Sequence, residues 1–554
     1  MLRRTALLLL LAVSSATASA AAGLPASGAG ASGPDASVPD ASEHDVRGHA
    51  ATPRVLRLGN AGEPETLDPH RYNLRLEETL LTDLFLGLTT FDAAGRTVPG
   101  AAERWDTSAD GLTWTFHLRP GLRWSDGRPL VAADFVYAFR RLQDPRTAAS
   151  LAYFMYPLAN AAEINAGKLP PDALGAAAPD DRTLVLTLAR PYPYLPERLL
   201  YPTGFPVPAH VIDAVGDDWI KPEHWVSNGA FTLADWRPQD AIELVPNRHF
   251  AASGLAPAQL DRVIYLPLAN EQTAYNRYRA GDVDAIGSFP SGDLPKIRQS
   301  WADDLRLSPL LSIMYLVFNT RTAPFDDARV REALALAIER DTLVGPVQRA
   351  ENTASSSFVP ALVTDYTPVS MPGVDLPQAD RHTRARALLA AAGYSAERPL
   401  TVTLRHMSGT ETKRSMLAVA SFWRAIGVRT TLHQSELKVH FADLRRGDFE
   451  VALAGWFGEN NPEHYLGLWA SANGDVNYGA YRDAAFDQRM AAAAQEPDLA
   501  RRNALLAEAE SVGAAGFPVV PLHMVTVRRL VSPRIDGWVD NPRDVHPARL
   551  LRLR

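Results

Sequence analysis

Between Leu112 and Arg140 the chain switches hydrophobic period within a few residues. Thr113-Trp114-Thr115-Phe116-His117-Leu118 alternates polar and apolar at a period of two and so predicts a half-buried strand. Pro120-Gly121 turns the chain, Leu122-Arg123-Trp124 runs back, and Ser125-Asp126-Gly127 turns it again. A helix is expected next, with Phe135, Phe139 and Leu142 on one face. Val131 stands where Ser or Thr would cap that helix, while Asp134 falls in the first turn, where the helix dipole favours an acid.

The second half alternates strand and helix. Val330, Ala333, Leu334, Ala337 and Ile338 keep helical spacing and predict a helix from about 327 to 340 with Asp326 as its N-cap. Residues 399–405 read as a strand, 411–426 as a helix stopped by Gly427, and 428–433 as a strand with Val428, Thr430 and Leu432 in phase. That is a strand, a crossover helix and a parallel strand. A helix near 437–446, a strand at 449–455 and helices near 483–494 and 498–512 complete an α/β unit. No internal repeat is visible.

A chain of 554 residues exceeds one hydrophobic core and predicts two or three lobes. Hydrophobic residues make up 46% and charged residues 21%, the balance of a folded soluble protein. The net charge of −7 removes a chain-wide basic footprint, so nucleic acid is not an expected partner. Arg3 and Arg4, the apolar run Ala6 to Val13 and the small-residue exit Ala18-Ser19-Ala20 have the layout of a secretory signal peptide, residues 1–20. Residues 21–52 are rich in Ala, Gly, Ser, Pro and Asp and read as a flexible tether. Within it Gly28-Ala29-Gly30-Ala31-Ser32-Gly33 matches a dinucleotide-binding pattern, but no strand precedes it and no amphipathic helix follows. The chain has no cysteine, so no disulfide forms and no lipid is carried on a cysteine.

Enzymatic signatures are missing. There is no G-x-S-x-G elbow, P-loop or H-E-x-x-H, and histidine pairs such as His44 with His49 or His433 with His440 read as solvated or structural rather than as metal ligands. No cofactor, metal or catalytic residue is expected. A secreted glycoside hydrolase stays open only because a pair of carboxylates can meet in space without a sequence signature.

The most informative stretch is Ala454 to Trp469, AGWFGENNPEHYLGLW, which ends a strand with an aromatic and places a carboxylate, Glu459, three residues after Trp456. With five other blocks it carries a family resemblance over nearly all of the chain beyond the tether. These are Glu63-Pro64-Glu65-Thr66-Leu67-Asp68-Pro69-His70; Leu112 to Pro145; Ser227 to Leu233; Tyr275 to Asp284; and Phe318-Asn319 with Pro324 to Asp341. The sequence resembles the extracytoplasmic oligopeptide- and dipeptide-binding proteins that feed ABC importers. The resemblance implies an α/β fold of the two-lobed periplasmic binding protein type (type II, cluster C), with an extra domain inserted in the first lobe. It places lobe I at 53–75, 201–310 and 525–554, the extra domain at 76–200 and lobe II at 311–524.

The same resemblance implies which residues meet ligand. Relatives hold peptide main chain as an added strand, and the edges matching that role end near Glu63 and at Gly455, Trp456 and Phe457. In the family the W-x-x-D acid binds the ligand's α-ammonium, and its match here is Glu459, one methylene longer and followed by a shortened loop, Asn460-Asn461-Pro462. Tyr137, Asn228 and Gly229 match positions beside the ligand. Three pocket positions depart from the pattern: Leu453 replaces an Arg, Glu411 a His and Leu437 an indole, leaving Arg405 and Lys413 as candidate basic groups. The implied function is a monomeric periplasmic peptide-binding subunit, not a lipoprotein, that delivers to an ABC permease and ATPase complex in the inner membrane. Capture of muropeptides or another cationic small solute is the alternative.

Overall fold

The computed structural model describes residues 53–474 and 476–554. The expected signal peptide (1–20), the tether (21–52), its glycine pattern and the His44–His49 pair lie outside them.

Two large sheets organise the described chain. In the first, seven strands run in the order Leu305–Pro309, Thr526–Val531, Ala285–Ile286, Val55–Asn60, Arg262–Pro267, Ala241–Pro246, Phe231–Arg237. Val55–Asn60 pairs in parallel with Arg262–Pro267 on one side and with Ala285–Ile286 on the other. The helix Glu271–Ala280, whose N-cap Asn270 accepts from the Thr273 N–H at 2.9 Å, makes the crossover between the two flanking strands. The C-terminal ends of all three strands therefore open on the same side, where ligands of open α/β sheets bind.

The second sheet has six strands in the order Thr353–Ala354, Val519–Met524, Ser312–Phe318, Val451–Phe457, Thr401–Met407, Arg429–Ser435. Thr401–Met407 and Arg429–Ser435 are parallel through the helix Thr410–Ala425, the unit its hydrophobic period predicts. Gly427, at φ +88°, ends that helix in the left-handed region, which glycine adopts without a Cβ penalty. The chain passes from the first sheet to the second at Leu310 and Leu311 and returns at Val525, and the Leu310 N–H donates to the Val525 carbonyl at 2.8 Å. The two connections lie side by side.

A four-stranded sheet holds the predicted Thr113–Leu118 strand between Ala102–Thr107 and Thr183–Thr187, with Trp114, Phe116 and Leu118 buried. These side chains, together with Phe135 and Phe139, join Leu56, Val263 and Tyr265 of the first sheet in one hydrophobic core. A separate core under the second sheet is built around Tyr315, Leu316, Trp423 and Trp469. A third, smaller cluster on the first sheet gathers Tyr275, Tyr278, Phe289 and Ile297.

Two local expectations are corrected. The helix near 330 is capped by Asp327, whose carboxylate accepts from the Arg329 N–H at 2.9 Å, rather than by Asp326. It ends at Leu336 instead of running to Arg340, because Arg381 donates to the Leu336 and Ile338 carbonyls at 2.8 and 2.7 Å and satisfies them outside a helical ladder. At Val131 the missing side-chain cap is offset from the other direction. Asp134 accepts from the Val131 N–H at 2.9 Å, which is half of a capping box.

Candidate ligand-binding site

The Val451–Phe457 strand is paired along its whole length with Ser312–Phe318 but meets Thr401–Met407 only at Val451 and Ala452. Its other edge is therefore open from Leu453 onward. In an antiparallel pair alternate residues turn both backbone polar groups to one neighbour. The Gly458 N–H donates to the Leu311 carbonyl at 2.8 Å, which fixes the phase: Trp456 and Ala454 face Ser312–Phe318, while Gly455 and Phe457 face the open edge. The first carbonyl of that edge, Leu453, is taken by His440 Nε2 at 2.8 Å. Gly455 leaves room for the Met314 side chain: a Cβ there would lie 2.5 Å from Met314 Sδ and would push that flexible end aside.

Beyond the strand end, Glu459 is 1% exposed and its carboxylate lies 3.1 Å from Arg198 Nη1. Arg198 closes the short helix Leu195–Arg198 and sits with its guanidinium over the Phe154 ring at 4.8 Å, donating to Tyr192 Oη at 2.9 Å. Burial pulls against the Arg198 charge, but the Glu459 carboxylate together with Tyr192 and Tyr201 outweighs it, so its pKa lies above the ordinary value. Neither Glu459 oxygen accepts a well-formed hydrogen bond from the described residues. The Glu459 N–H donates to His464 Nδ1 at 3.1 Å, and burial pushes the His464 pKa down, so the ring is neutral near pH 7. Trp456 packs edge-on against His464 with ring centroids 5.3 Å apart.

The same region is stitched by further charge pairs. Glu463 meets Arg190 at 3.1 Å and Arg502, whose guanidinium also donates to the Pro191 carbonyl at 3.2 Å. Glu197 pairs with Arg543, and Tyr194 Oη donates to Asn503 at 2.6 Å. Residues 190–198 are thereby docked on the elements that follow the Val451–Phe457 strand.

One cavity lies at the end of this strand and a second adjoins it. One of about 50 Å³ is lined by Phe457 and Gly458, by Leu310 and Leu311 where the chain changes sheets, and by Tyr201 and Arg543. The other, of about 160 Å³, lies at the strand ends of the first sheet, against Asn60, Leu268 and Gly287-Ser288. Arg75, Glu78 and Val545 line both, so the two form one run from Phe457 to Glu271. Burial pushes the Glu78 carboxyl up, and the Arg75 and Arg543 charges offset this only in part. Burial also raises Glu271, against a hydrogen bond with Ser288.

The other expected contact residues are committed to the protein. Glu63 accepts from Trp236 Nε1 at 2.9 Å and from the Gln239 N–H at 3.1 Å. Asn228 bridges to both backbone groups of Leu86, accepting from its N–H at 3.1 Å and donating to its carbonyl at 2.8 Å. Gly229 presses on Leu84, where a Cβ would come within 2.4 Å of the backbone. Tyr137 is half-buried, with its hydroxyl 3.4 Å from Asp213. At the departures from the family pattern, Leu453 is buried and Leu437 packs on the second core, while Arg405 is paired with Asp443 at 2.6 Å and Lys413 is exposed.

Sequence reasoning did not single out Arg198, Glu78, Glu271 or Arg543. Only Glu78 carried a signal. With Glu77 it falls three and four positions before Leu81 on the helix Arg75–Leu84, so both acids lie on its apolar face, and both are buried.

Comparison with known proteins fits this geometry. The family model of the bacterial extracellular solute-binding proteins, family 5 (Middle), matches residues 96–477. The chain belongs to that family. It is 37% identical over 494 residues to the periplasmic oligopeptide-binding protein OppA of Escherichia coli K12, covering 88% of this chain and 90% of that one. A probable deoxycholate-binding periplasmic protein of the same organism, YgiS, is 36% identical over 498 residues, covering 89% and 92%. The unliganded open form of the periplasmic murein tripeptide-binding protein MppA superposes with a TM-score of 0.81 at 33% identity, over 91% of this chain and 98% of the other. The architecture is thus the two-lobed α/β fold of periplasmic binding proteins that the sequence blocks implied.

Proposed function

We propose that this chain is the periplasmic solute-binding subunit of an ABC importer, which captures short peptides between its two lobes and hands them to a membrane permease and its ATPase. The observation that carries the proposal is the open edge at Gly455 and Phe457 beside a cavity that spans the point where the chain changes sheets. An extended peptide added there uses hydrogen bonds common to every sequence and leaves its side chains to the cavities. The paired connections at Leu310-Leu311 and Val525 act as the hinge between lobe I with its extra domain (residues 53–310 and 525–554) and lobe II (311–524), and ligand touching both lobes biases closure. Export by the N-terminal 20 residues, diffusion without a lipid anchor and action as a monomer belong to the same reading. In this reading Gly455, Trp456, Phe457 and Glu459 meet one end of the ligand, and Glu63, Tyr137, Asn228 and Gly229 are its further contact residues.

Mass spectrometry under native conditions on protein purified without refolding tests this reading. A retained mixture of short peptides supports it, a single defined solute supports capture of a muropeptide or another small solute, and turnover of an added substrate points to an enzyme. Peptide at 100 times its dissociation constant adds roughly 2.7 kcal/mol to stability, so a di- to pentapeptide library that moves neither melting temperature nor fluorescence overturns the peptide assignment.

A further inference from the structure

The carboxylate beyond the open edge already has a cation, and the protein supplies it. Arg198 is 9% exposed, reaches Glu459 at 3.1 Å, donates to Tyr192 and lies over Phe154, so three neighbours fix its guanidinium. With this pair included, the cluster holds five arginines, Arg75, Arg190, Arg198, Arg502 and Arg543, against four carboxylates, Glu78, Glu197, Glu459 and Glu463. The neutral His464 adds no charge. A further buried ammonium would join a cluster that is already net positive and would compete with a guanidinium that is packed in place. The Glu459 oxygens nonetheless keep acceptor capacity: both are buried and neither takes a well-formed hydrogen bond. Tyr72, buried close by, also has a hydroxyl without a hydrogen-bond partner among the described residues. Such a place accepts a neutral N–H donor better than a charged one.

We propose that Arg198 fills the cation position of Glu459, so that the end of a bound solute reaching Phe457 and Gly458 is an uncharged acylated amine rather than a free ammonium. The inference rests on the peptide-capture reading and deepens it by naming the chemistry of one ligand end. Arg198 is then the specificity-determining residue of that end.

Titration calorimetry on the full chain with trialanine and N-acetyl-trialanine tests it. The wild type is expected to bind the acetylated peptide about tenfold tighter or better, a difference well outside measurement error. Arg198→Leu is expected to reverse the order by vacating the cation position, and Arg198→Leu with Glu459→Gln to remove the preference altogether. The double variant carries the test if the single one does not fold. Tighter binding of free trialanine by the wild type, or the same preference in all three proteins, overturns the proposal while leaving peptide capture intact. If no protein binds either peptide, the capture reading fails, and the cation position is tested by ethylammonium chloride. It should raise the melting temperature of Arg198→Leu above the effect of sodium chloride at equal concentration and leave the wild type unmoved. An equal response of the two proteins overturns the proposal.

Discussion

The two ends of the run of cavities from Phe457 to Glu271 are built differently. Beyond Phe457 three carboxylates each have an opposite partner from the protein: Glu459 with Arg198, Glu463 with Arg190 and Arg502, Glu197 with Arg543. Toward the far end Glu78, which lines both cavities, and Glu271, which lines only the larger one, have no ion pair among the described residues, and burial raises both. The first end is set before ligand arrives; the second takes its charge state from pH and from what enters. A site of this kind discriminates most sharply where its charges are already neutralised, because a wrong ligand group there must break a buried pair.

Breaking the crowded end should have the largest effect. Arg502 is fully buried and binds Glu463 as well as the Pro191 carbonyl, so Arg502→Met is expected to cost about 3–5 kcal/mol in urea unfolding. A loss below about 1 kcal/mol would mean that docking of residues 190–198 does not depend on this charge network.

Asn228 tests how much a contact residue committed to the protein adds to affinity. Asn228→Ala removes both links to Leu86 and should cost about 1–3 kcal/mol of stability while peptide affinity stays within about threefold. An affinity loss without a stability loss would make Asn228 a binding determinant rather than a packing one.

The far end should respond to pH. Glu78 and Glu271 have folded pKa values raised above the unfolded ones by burial, so their protonated forms contribute stability that is complete below the ordinary carboxylate range and is lost as pH rises through the raised values. Glu78→Gln with Glu271→Gln should therefore flatten the fall in melting temperature from acid to neutral pH. An unchanged slope in the double variant would remove the contrast between the ends. The smallest effect is expected at Tyr137: its 3.4 Å contact with Asp213 is long, and Tyr137→Phe should change stability by less than about 0.5 kcal/mol.

Much of the frame was legible because it follows local rules. The strand Thr113–Leu118, the parallel unit from Thr401 to Ser435 and the helix Leu437–Arg446 all appear where period and stop signals put them. The end of the helix near 330 was not legible, since it depends on Arg381 arriving from another helix to take its last carbonyls. The site divides in the same way. The strand ending at Phe457 could be read from its pattern, while the roles of its edge and of Glu459 are what the family resemblance implies. Arg198 lies in Pro-Tyr-Leu-Pro-Glu-Arg-Leu-Leu, a stretch with no period, and meets Glu459 only because tertiary docking brings distant parts of the chain together. Asn228-Gly229 could be read as a turn, but that its amide is spent on Leu86 is a fact of packing.

Hydrogen exchange at the backbone amides of Gly455 and Phe457, with and without a saturating short peptide, tests the central claim most directly. Peptide added as a strand should slow exchange at both and leave Ala454 and Trp456, already paired with Ser312–Phe318, nearly unchanged. Peptide binding that stabilises the protein but leaves Gly455 and Phe457 exchanging at their unliganded rates would contradict it.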